Sequence, residues 1–132
     1  MNVTEAVKYI SETYSTEADY PFMQYPDVAV FRHANNRKWF AAIMNVQKSK
    51  LGKKGEGTIH IMNLKCDPIL SGSLRSEKGF YPAYHMSKSN WISVALDGSA
   101  DNEKIKWLID ISYDLTAKKV KKKREKNKNV QN

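Results

Sequence analysis

The sequence predicts an α+β protein, because amphipathic helical patterns near both ends of the chain enclose a series of short apolar strands. Its 132 residues, 41% of them hydrophobic, suit one compact domain that removes roughly two-thirds of its unfolded surface from water. Cys66 is the single cysteine, so no internal disulfide can form and packing must provide the stability. This cysteine usage favours a reducing, cytoplasmic compartment.

The first helix is predicted over residues 4–15. Thr4 followed by Glu5 provides a helix start. Apolar side chains then recur at spacings of three and four: Ala6, Val7, Ile10 and Tyr14. The same opening residues contain an acid and a base and no long apolar run, so we expect neither a secretory signal nor a membrane span there.

Strands are predicted at four places, with a fifth, shorter one: 28–32, 39–46, 58–64, 91–96 and 84–86. The turn at 34–37 should pair the first two as a hairpin. Three glycines and four lysines at 47–57 predict a solvated, mobile loop. Asp67 and Pro68 predict the start of a short helix that ends near Gly79.

The last helix has the widest apolar face. Asp101 is a plausible N-cap, and one side of the helix then collects seven residues: Ile105, Leu108, Ile109, Ile111, Ser112, Leu115 and Thr116. Lys106, Asp110 and Asp114 fall on the opposite side. We therefore expect this helix to lie flat on a sheet.

The net charge of +8 is concentrated in the last fifteen residues. This tail, 118–132, has one acid, Glu125, and eight bases, for a charge of +7: Lys118, Lys119, Lys121, Lys122, Lys123, Arg124, Lys126 and Lys128. The other 117 residues carry 14 bases against 13 acids, or +1. The charge predicts a nearly neutral domain at 1–117 and a disordered cationic tail, which favours association with polyanions.

Several blocks, in order and approximate spacing, resemble the MmcQ/YjbR family over residues 4–117. They are YPF at 20–22, the strand containing Trp39, NLKCDP at 63–68, YHMSKSNW at 84–91, and LIDISYDL at 108–115. The resemblance implies a frataxin-like (CyaY-like) fold, in which N- and C-terminal helices pack on one face of an antiparallel sheet of about five strands. It also implies DNA binding, with hairpins acting as paired wings.

Two basic segments are the candidate wings. They supply the candidate phosphate ligands Asn36, Arg37, Lys38, Lys48, Lys50, Lys53 and Lys54, to which the tail adds its own bases. If six tail lysines contacted phosphates, the logarithm of the binding constant would fall with the logarithm of the salt concentration at a slope of about −5. This slope would not depend on which nucleic-acid sequence was bound. Only Asn35, Asn36 and Arg37 are of the type and placement that base reading requires. We therefore expect largely nonspecific binding.

A second group of candidates surrounds the NLKCDP and YHMSKSNW blocks. Lys65 and Lys88 could receive a phosphate or carboxylate, or could simply be solvated. His85 could act as an acid–base group, although a structural role is favoured. Cys66, His60 and His85 are too few and too scattered for a zinc site or an activated thiol, so a buried, inert Cys66 is expected. Trp39, Trp91 and Trp107 should serve mainly in packing, with Trp107 the most exposed.

We therefore expect a small non-enzymatic binding protein, without cofactor or metal and without a membrane partner, whose leading partner is nucleic acid. A protein-interaction domain that presents aromatic residues on an open sheet face is the alternative. The third interpretation is an enzyme or metal carrier centred on Lys65, Cys66 and His85. Iron handling would need an acidic ridge, for which the sequence offers only Glu5, Glu12, Glu17 and Asp19.

Overall fold

A computed structural model describes residues 1–118, and over these residues the chain folds as three helices and a five-stranded antiparallel sheet. The helices are α1 (Val3–Tyr14), α2 (Pro68–Leu74) and α3 (Asn102–Thr116). The strands are β1 (Ala29–Arg32), β2 (Trp39–Gln47), β3 (Thr58–Lys65), β4 (Phe80–Pro82) and β5 (Trp91–Ala95). They lie in the order β1-β2-β3-β5-β4. The predicted α+β class with five antiparallel strands is confirmed.

All three helices contribute to one core on one face of the sheet. Ile10 of α1 and Leu108 of α3 are fully buried there with Met62 of β3 and Val94 of β5. Burying a side chain of this size stabilises the fold by roughly 1.5–3 kcal/mol. The predicted packing of the two terminal helices on one face is therefore confirmed. None of the three described helices packs on the opposite face, which we call the helix-free face.

A β-bulge in β2 adds one more side chain to this core. Phe31 pairs with Ala41, but Arg32 pairs with Trp39, so Phe40 is an extra residue between them. Phe40 and Ala41 are both buried in the core under the helices. Side chains alternate between faces along a regular strand, so the bulge places Trp39 and Arg32 on the helix-free face.

The helix starts agree in part with the sequence predictions. Asp67 caps α2 and Asp101 caps α3, each accepting a hydrogen bond from the main-chain N–H three residues later. For α1 the cap is Asn2 rather than Thr4. The Asn2 side chain accepts from the Glu5 N–H at 2.9 Å, and Glu5 accepts from the Asn2 N–H at 3.0 Å. This reciprocal capping box satisfies two otherwise unpaired donors, which explains the earlier start.

Two predicted features of the second half are wrong. The short strand is β4 at Phe80–Pro82, whereas 84–86 forms turns, because His85 has a left-handed φ of 59°. Helix α2 ends at Leu74, well before Gly79. Ile92 and Val94 of β5 pack beneath the helices, and Trp91 lies on the opposite side of that strand.

The loop between β2 and β3 has more structure than its composition predicts. Lys48–Leu51 forms a 3-10 turn, and Leu51 packs on the helix-free face. There it meets a small buried cluster of Val46, Ile59, Ile61 and Ala95. The three glycines of the loop, Gly52, Gly55 and Gly57, all have positive φ, which explains why a flexible composition gives a defined turn.

Candidate functional site

The hairpin tip between β1 and β2 is fastened to the end of α3. The Asn36 amide donates to the Thr116 carbonyl at 2.9 Å, and the Asn36 side-chain oxygen accepts from the Lys38 N–H at 2.9 Å. We call residues 34–38 the first tip. Because the Thr116 carbonyl is one of the unpaired acceptors at the end of a helix, Asn36 acts as a C-terminal cap supplied by another element.

A buried histidine strengthens this attachment. The His33 Nε2 lies 2.8 Å from the Thr116 hydroxyl, and the His33 ring packs against Tyr113 and Phe40 at centroid distances of 4.2 and 5.3 Å. Burial lowers the pKa of His33, although a hydrogen bond to the Tyr113 main chain and the charge of Asp114 offset part of this effect. Sequence reasoning did not find His33, because a lone histidine in a turn has no pattern that marks burial.

Four cationic side chains share this end of the molecule. Arg37 and Lys38 are exposed on the first tip, and Lys118 is exposed just beyond α3. Lys65 ends β3 and donates its main-chain N–H to Ser112 of α3 at 2.8 Å. Asp114 provides an opposing charge in the last turn of α3. The structure therefore brings part of the predicted phosphate-binding set together. The predicted tail ligands beyond Lys118 lie outside the described residues: Lys119, Lys121, Lys122, Lys123 and Arg124.

The second basic segment lies at the other end of β2. We call residues 48–57 the second tip, and it carries Lys48, Lys50, Lys53 and Lys54. The nine residues of β2 span about 30 Å, so the two tips occupy opposite ends of the sheet. Lys53 helps to lower the pKa of Asp97, whose burial is outweighed by hydrogen bonds from Ser99 and by this lysine. Acid and base are thus mixed at the second tip.

The segment 83–90 is held to the domain by its main chain. Lys88 donates to the Ala83 carbonyl at 2.9 Å, Arg75 donates to the Lys88 carbonyl, and Ser71 donates to the Ser89 carbonyl at 2.9 Å. Over residues 1–118, no hydrogen bond links the side chains of Lys65, His85 and Lys88. These contacts favour the structural interpretation of Lys88 and leave the predicted three-residue cluster without internal bonds.

Cys66, His60 and His85 do not meet as a catalytic or metal-binding group. Cys66 is 1% exposed, and burial raises the pKa of its thiol to about 11, so it is a neutral thiol near pH 7. His60 precedes it by six strand residues, or about 20 Å, and is exposed. In the portion of the chain that is described, no three His, Cys, Asp or Glu residues are grouped closely enough to hold a metal ion.

A concavity of about 760 Å³ lies on the helix-free face. One wall carries Phe22, Tyr25 and Trp39, with Phe22 edge-to-face on Trp39 at 5.8 Å between ring centroids. The opposite wall is formed by Tyr84 and His85, whose rings lie 3.9 Å apart. Met44 and Val46 of β2 and Asn63 of β3 contribute from the strands, and Lys50 reaches the concavity from the second tip.

Two buried polar residues position the wall that contains Tyr84. Asn63 and Ser93 are fully buried neighbours on β3 and β5. The Asn63 amide donates to the Tyr84 carbonyl at 2.9 Å, the Ser93 hydroxyl accepts from the Tyr84 N–H at 2.9 Å, and Ser93 also donates to Asn63. Both polar groups of the Tyr84 main chain are therefore fixed. Sequence analysis missed this arrangement, since it placed Asn63 in a strand and in the NLKCDP block without a hydrogen-bond partner.

The exposure of the tryptophans agrees with the sequence prediction. Trp107 is 49% exposed on α3, whereas Trp39 and Trp91 are half-buried. Other large apolar residues are exposed before β1: Tyr20, Phe22, Met23 and Tyr25. No helix of the described residues is both long and apolar enough to span a bilayer.

These features define a small α+β domain with a basic end and an aromatic-walled concavity. The YjbR family model matches residues 11–115, and the chain belongs to that family. The family prediction is therefore confirmed, whereas the relation to frataxin remains a prediction.

Relatives with known sequences and structures agree with this assignment. The chain is 45% identical over 109 residues to uncharacterized protein YyaQ of Bacillus subtilis, covering 83% of this chain and 92% of that one. It is 38% identical over 53 residues to uncharacterized protein YjbR of Escherichia coli, covering 39% and 45% of the two chains.

Two solved structures are also similar. A crystal structure of a Pseudomonas syringae protein has a TM-score of 0.86 and 42% identity, covering 89% of this chain and all of that one. A Deinococcus radiodurans protein, DR2400, has a TM-score of 0.67 and 23% identity over 95% of this chain and 86% of its own, which shows a shared fold.

Proposed function

We propose that this protein is a non-enzymatic module that binds nucleic acid through the phosphate backbone, largely without reading sequence. Its net charge of +8 and pI near 9.5 support attraction to a polyanion. Seven of those positive charges, as a net count, belong to residues 118–132. The folded domain fixes the position at which this charged segment begins. This fixed position distinguishes a binding end from a chain that is only basic in composition.

The hydrogen bond from Asn36 to the Thr116 carbonyl carries the proposal. It joins the first tip to the end of α3, so Arg37 and Lys38 lie at the end of the domain where the described chain reaches Lys118. Lys65 lies near the same end of the sheet. Cationic side chains at one end of the domain can contact neighbouring phosphates of one strand. Their electrostatic contributions to the binding free energy then add together.

The hydrogen bonds of Asn36 argue against base-specific recognition by the first tip. Both polar atoms of the Asn36 side chain are already used, one by Thr116 and the other by Lys38. Of the three residues eligible for base contacts, only Asn35 and Arg37 remain. A single arginine and a single asparagine can discriminate little without a rigid partner, so affinity should depend on salt far more than on sequence.

The second tip contributes less in this proposal. Its lysines lie about 30 Å from the first tip, and Asp97 is close enough to Lys53 for their charges to interact. We assign Lys48, Lys50, Lys53 and Lys54 a secondary role in polyanion binding. A duplex long enough to pass both ends could still touch them.

Fluorescence anisotropy with full-length protein and a variant ending at Lys118 tests the proposal. We expect the truncated variant to bind a 30-base-pair duplex at least about 100-fold more weakly at 50 mM salt, and two unrelated duplex sequences to behave alike. A matched control keeps the tail length but replaces its lysines and arginine with glutamine, and it should behave as the truncation does. Truncated protein that binds within threefold of full-length protein would contradict the proposal.

Exposed apolar residues favour a second candidate function, the docking of a protein partner. Tyr20 is 59% exposed and Met23 is 97% exposed, both in the segment that precedes β1. A partner recovered from nuclease-treated lysate by the native protein, and not by a Tyr20→Ser/Met23→Ser variant, would support it. Recovery that disappears with nuclease would instead support the nucleic-acid function.

A further inference from the structure

The concavity on the helix-free face has the size and lining of a small-molecule site. Its volume of about 760 Å³ falls within the range of roughly 300–1,000 Å³ that is typical of ligand pockets. Aromatic and aliphatic side chains make most of the lining, together with a few polar groups. The basic end at the first tip that we propose for nucleic acid uses other residues, and Lys50 is the one lining residue that also belongs to the second tip.

The walls suit a flat apolar body. Trp39, Tyr25 and Phe22 stand on one side, and Tyr84 with His85 stand on the other. Tyr25 is 65% exposed, so its ring is available to a ligand. A ring that enters between aromatic side chains gains stacking contacts in addition to the apolar area that it buries.

The charge of the lining selects the polar group of the ligand. Lys50 is the formally cationic residue of the lining, and His85 can add a hydrogen bond. All residues that line this concavity lie within the described part of the chain, and none of them carries a carboxylate. One lysine without an opposing acid matches one negative charge on a ligand.

The wall around Tyr84 is fixed before any ligand arrives. Asn63 and Ser93 hold both main-chain polar groups of Tyr84, and the next residue, His85, is kept at a φ of 59°. A residue other than glycine adopts this conformation at a cost, and His85 is held in it next to the fixed Tyr84 main chain. A wall held in this way loses little entropy when a ligand binds.

We propose that this concavity binds a small organic carboxylate with an aromatic body. The aromatic part lies between the Tyr25–Trp39 wall and the Tyr84–His85 wall, and the carboxylate is directed to the Lys50 ammonium. The site is separate from the basic end that is built on the first tip and the tail. A truncation after Lys118 should therefore leave the affinity for such a ligand unchanged within about twofold.

A matched pair of probes tests this site by NMR titration of the 15.2 kDa protein. The probes are 1-naphthaleneacetate and its neutral amide, 1-naphthaleneacetamide, which share the aromatic body and differ in charge. We expect saturable amide shifts at Met44, Lys50, Tyr84 and His85, and a carboxylate affinity about threefold to tenfold above that of the neutral probe. Absence of saturable shifts for both probes up to about 10 mM, or shifts elsewhere, would overturn the proposal.

Substitutions with matched controls locate the two halves of the ligand. Lys50→Gln should abolish the preference for the carboxylate, whereas Lys54→Gln, on the same tip but outside the lining, should preserve it. Tyr25→Ala should weaken both probes by about twofold to tenfold, whereas Tyr20→Ala should not. The amide spectra of the free variants verify that each is folded. Equal effects of Lys50→Gln and Lys54→Gln, or of Tyr25→Ala and Tyr20→Ala, would overturn the assignment.

Discussion

The two basic tips of the central hairpins both carry cationic side chains but are built differently. The first tip is held by side chains: Asn36 and His33 bind the last residue of α3. The second tip is held by its own main chain, through bonds such as Lys48 N–H to the Gly57 carbonyl at 3.1 Å, and by glycines with positive φ. One tip therefore depends on the packed domain, and the other is a local turn.

This difference shows that a count of lysines does not locate a binding surface. Arg37 and Lys38 have a fixed relation to α3 and to the start of the cationic tail. The second tip lies at the far end of β2, where Lys53 is close enough to Asp97 for their charges to interact. Position relative to other charges, rather than charge alone, makes the first tip the stronger candidate for phosphate. Changes to the anchors should therefore affect the two tips unequally.

The largest effect on stability is expected for His33→Ala. This change removes a buried ring packed on Tyr113 and Phe40, together with the bond to Thr116. We expect the free energy of unfolding in urea to fall by about 2–4 kcal/mol. Lys53→Ala on the second tip should change it by less than about 0.5 kcal/mol. A loss below about 1 kcal/mol for His33→Ala would show that the first tip is not anchored through this ring.

A smaller loss is expected for Asn36→Ala. Both hydrogen bonds of the side chain disappear, and the Thr116 carbonyl loses its partner. We expect the free energy of unfolding to fall by about 1–2 kcal/mol, with Asn35→Ala, an exposed neighbour, as the control near zero. Asn36→Asp should also destabilise the protein, since it places a negative charge beside a helix C-terminus. Equal losses for Asn35→Ala and Asn36→Ala would contradict this role.

The second tip should respond to glycine substitution instead. Gly57 has a φ of 94°, so Gly57→Ala is strained although no atom lies within 4 Å of the added Cβ. We expect a loss of about 1 kcal/mol in the free energy of unfolding. Gly72 lies in α2 with open space around it, so Gly72→Ala should stabilise the protein by up to about 1 kcal/mol. Stabilisation by both substitutions would show that Gly57 is not strained.

Acidification should weaken the first anchor. Burial lowers the pKa of His33 from its ordinary 6.5, so the unfolded chain binds a proton more tightly than the folded one. The contribution of neutral His33 is fully present above pH 6.5 and is lost as the pH falls below that value. Thermal unfolding between pH 7.5 and 5.5 should show a larger fall in Tm for the native protein than for His33→Gln. Parallel curves for the two proteins would contradict this linkage.

Sequence reasoning recovered most of the fold because periodicity reports local burial directly. The apolar stripe of α3, the Asp67 and Asp101 caps and the four longer strands all follow from patterns within a few residues. The short β4 and the capping of α1 by Asn2 were missed. Three residues such as Phe80–Pro82 have no period to detect, and Thr4 and Asn2 are both acceptable caps until the Glu5 side chain is placed.

The candidate sites were less predictable, because they depend on contacts between distant parts of the chain. Asn36 was selected for its polarity, but its partner Thr116 lies 80 residues away. The positions of Asn63 and Ser93 in the sequence say nothing about the Tyr84 main chain that they hold. The grouping of Lys65 with His85 and Lys88 followed sequence proximity to two motif blocks, and hydrogen bonding in the described residues does not join their side chains.

The salt dependence of duplex binding by two double variants tests most directly whether the first tip and the tail form one phosphate-binding end. With full-length protein, Arg37→Gln/Lys38→Gln should make the slope of log K against log salt shallower by about 2, since two phosphate contacts are lost. Lys53→Gln/Lys54→Gln should change the slope by less than about 0.5. Equal changes for the two variants, or a change only for the second, would contradict a binding end built on the first tip.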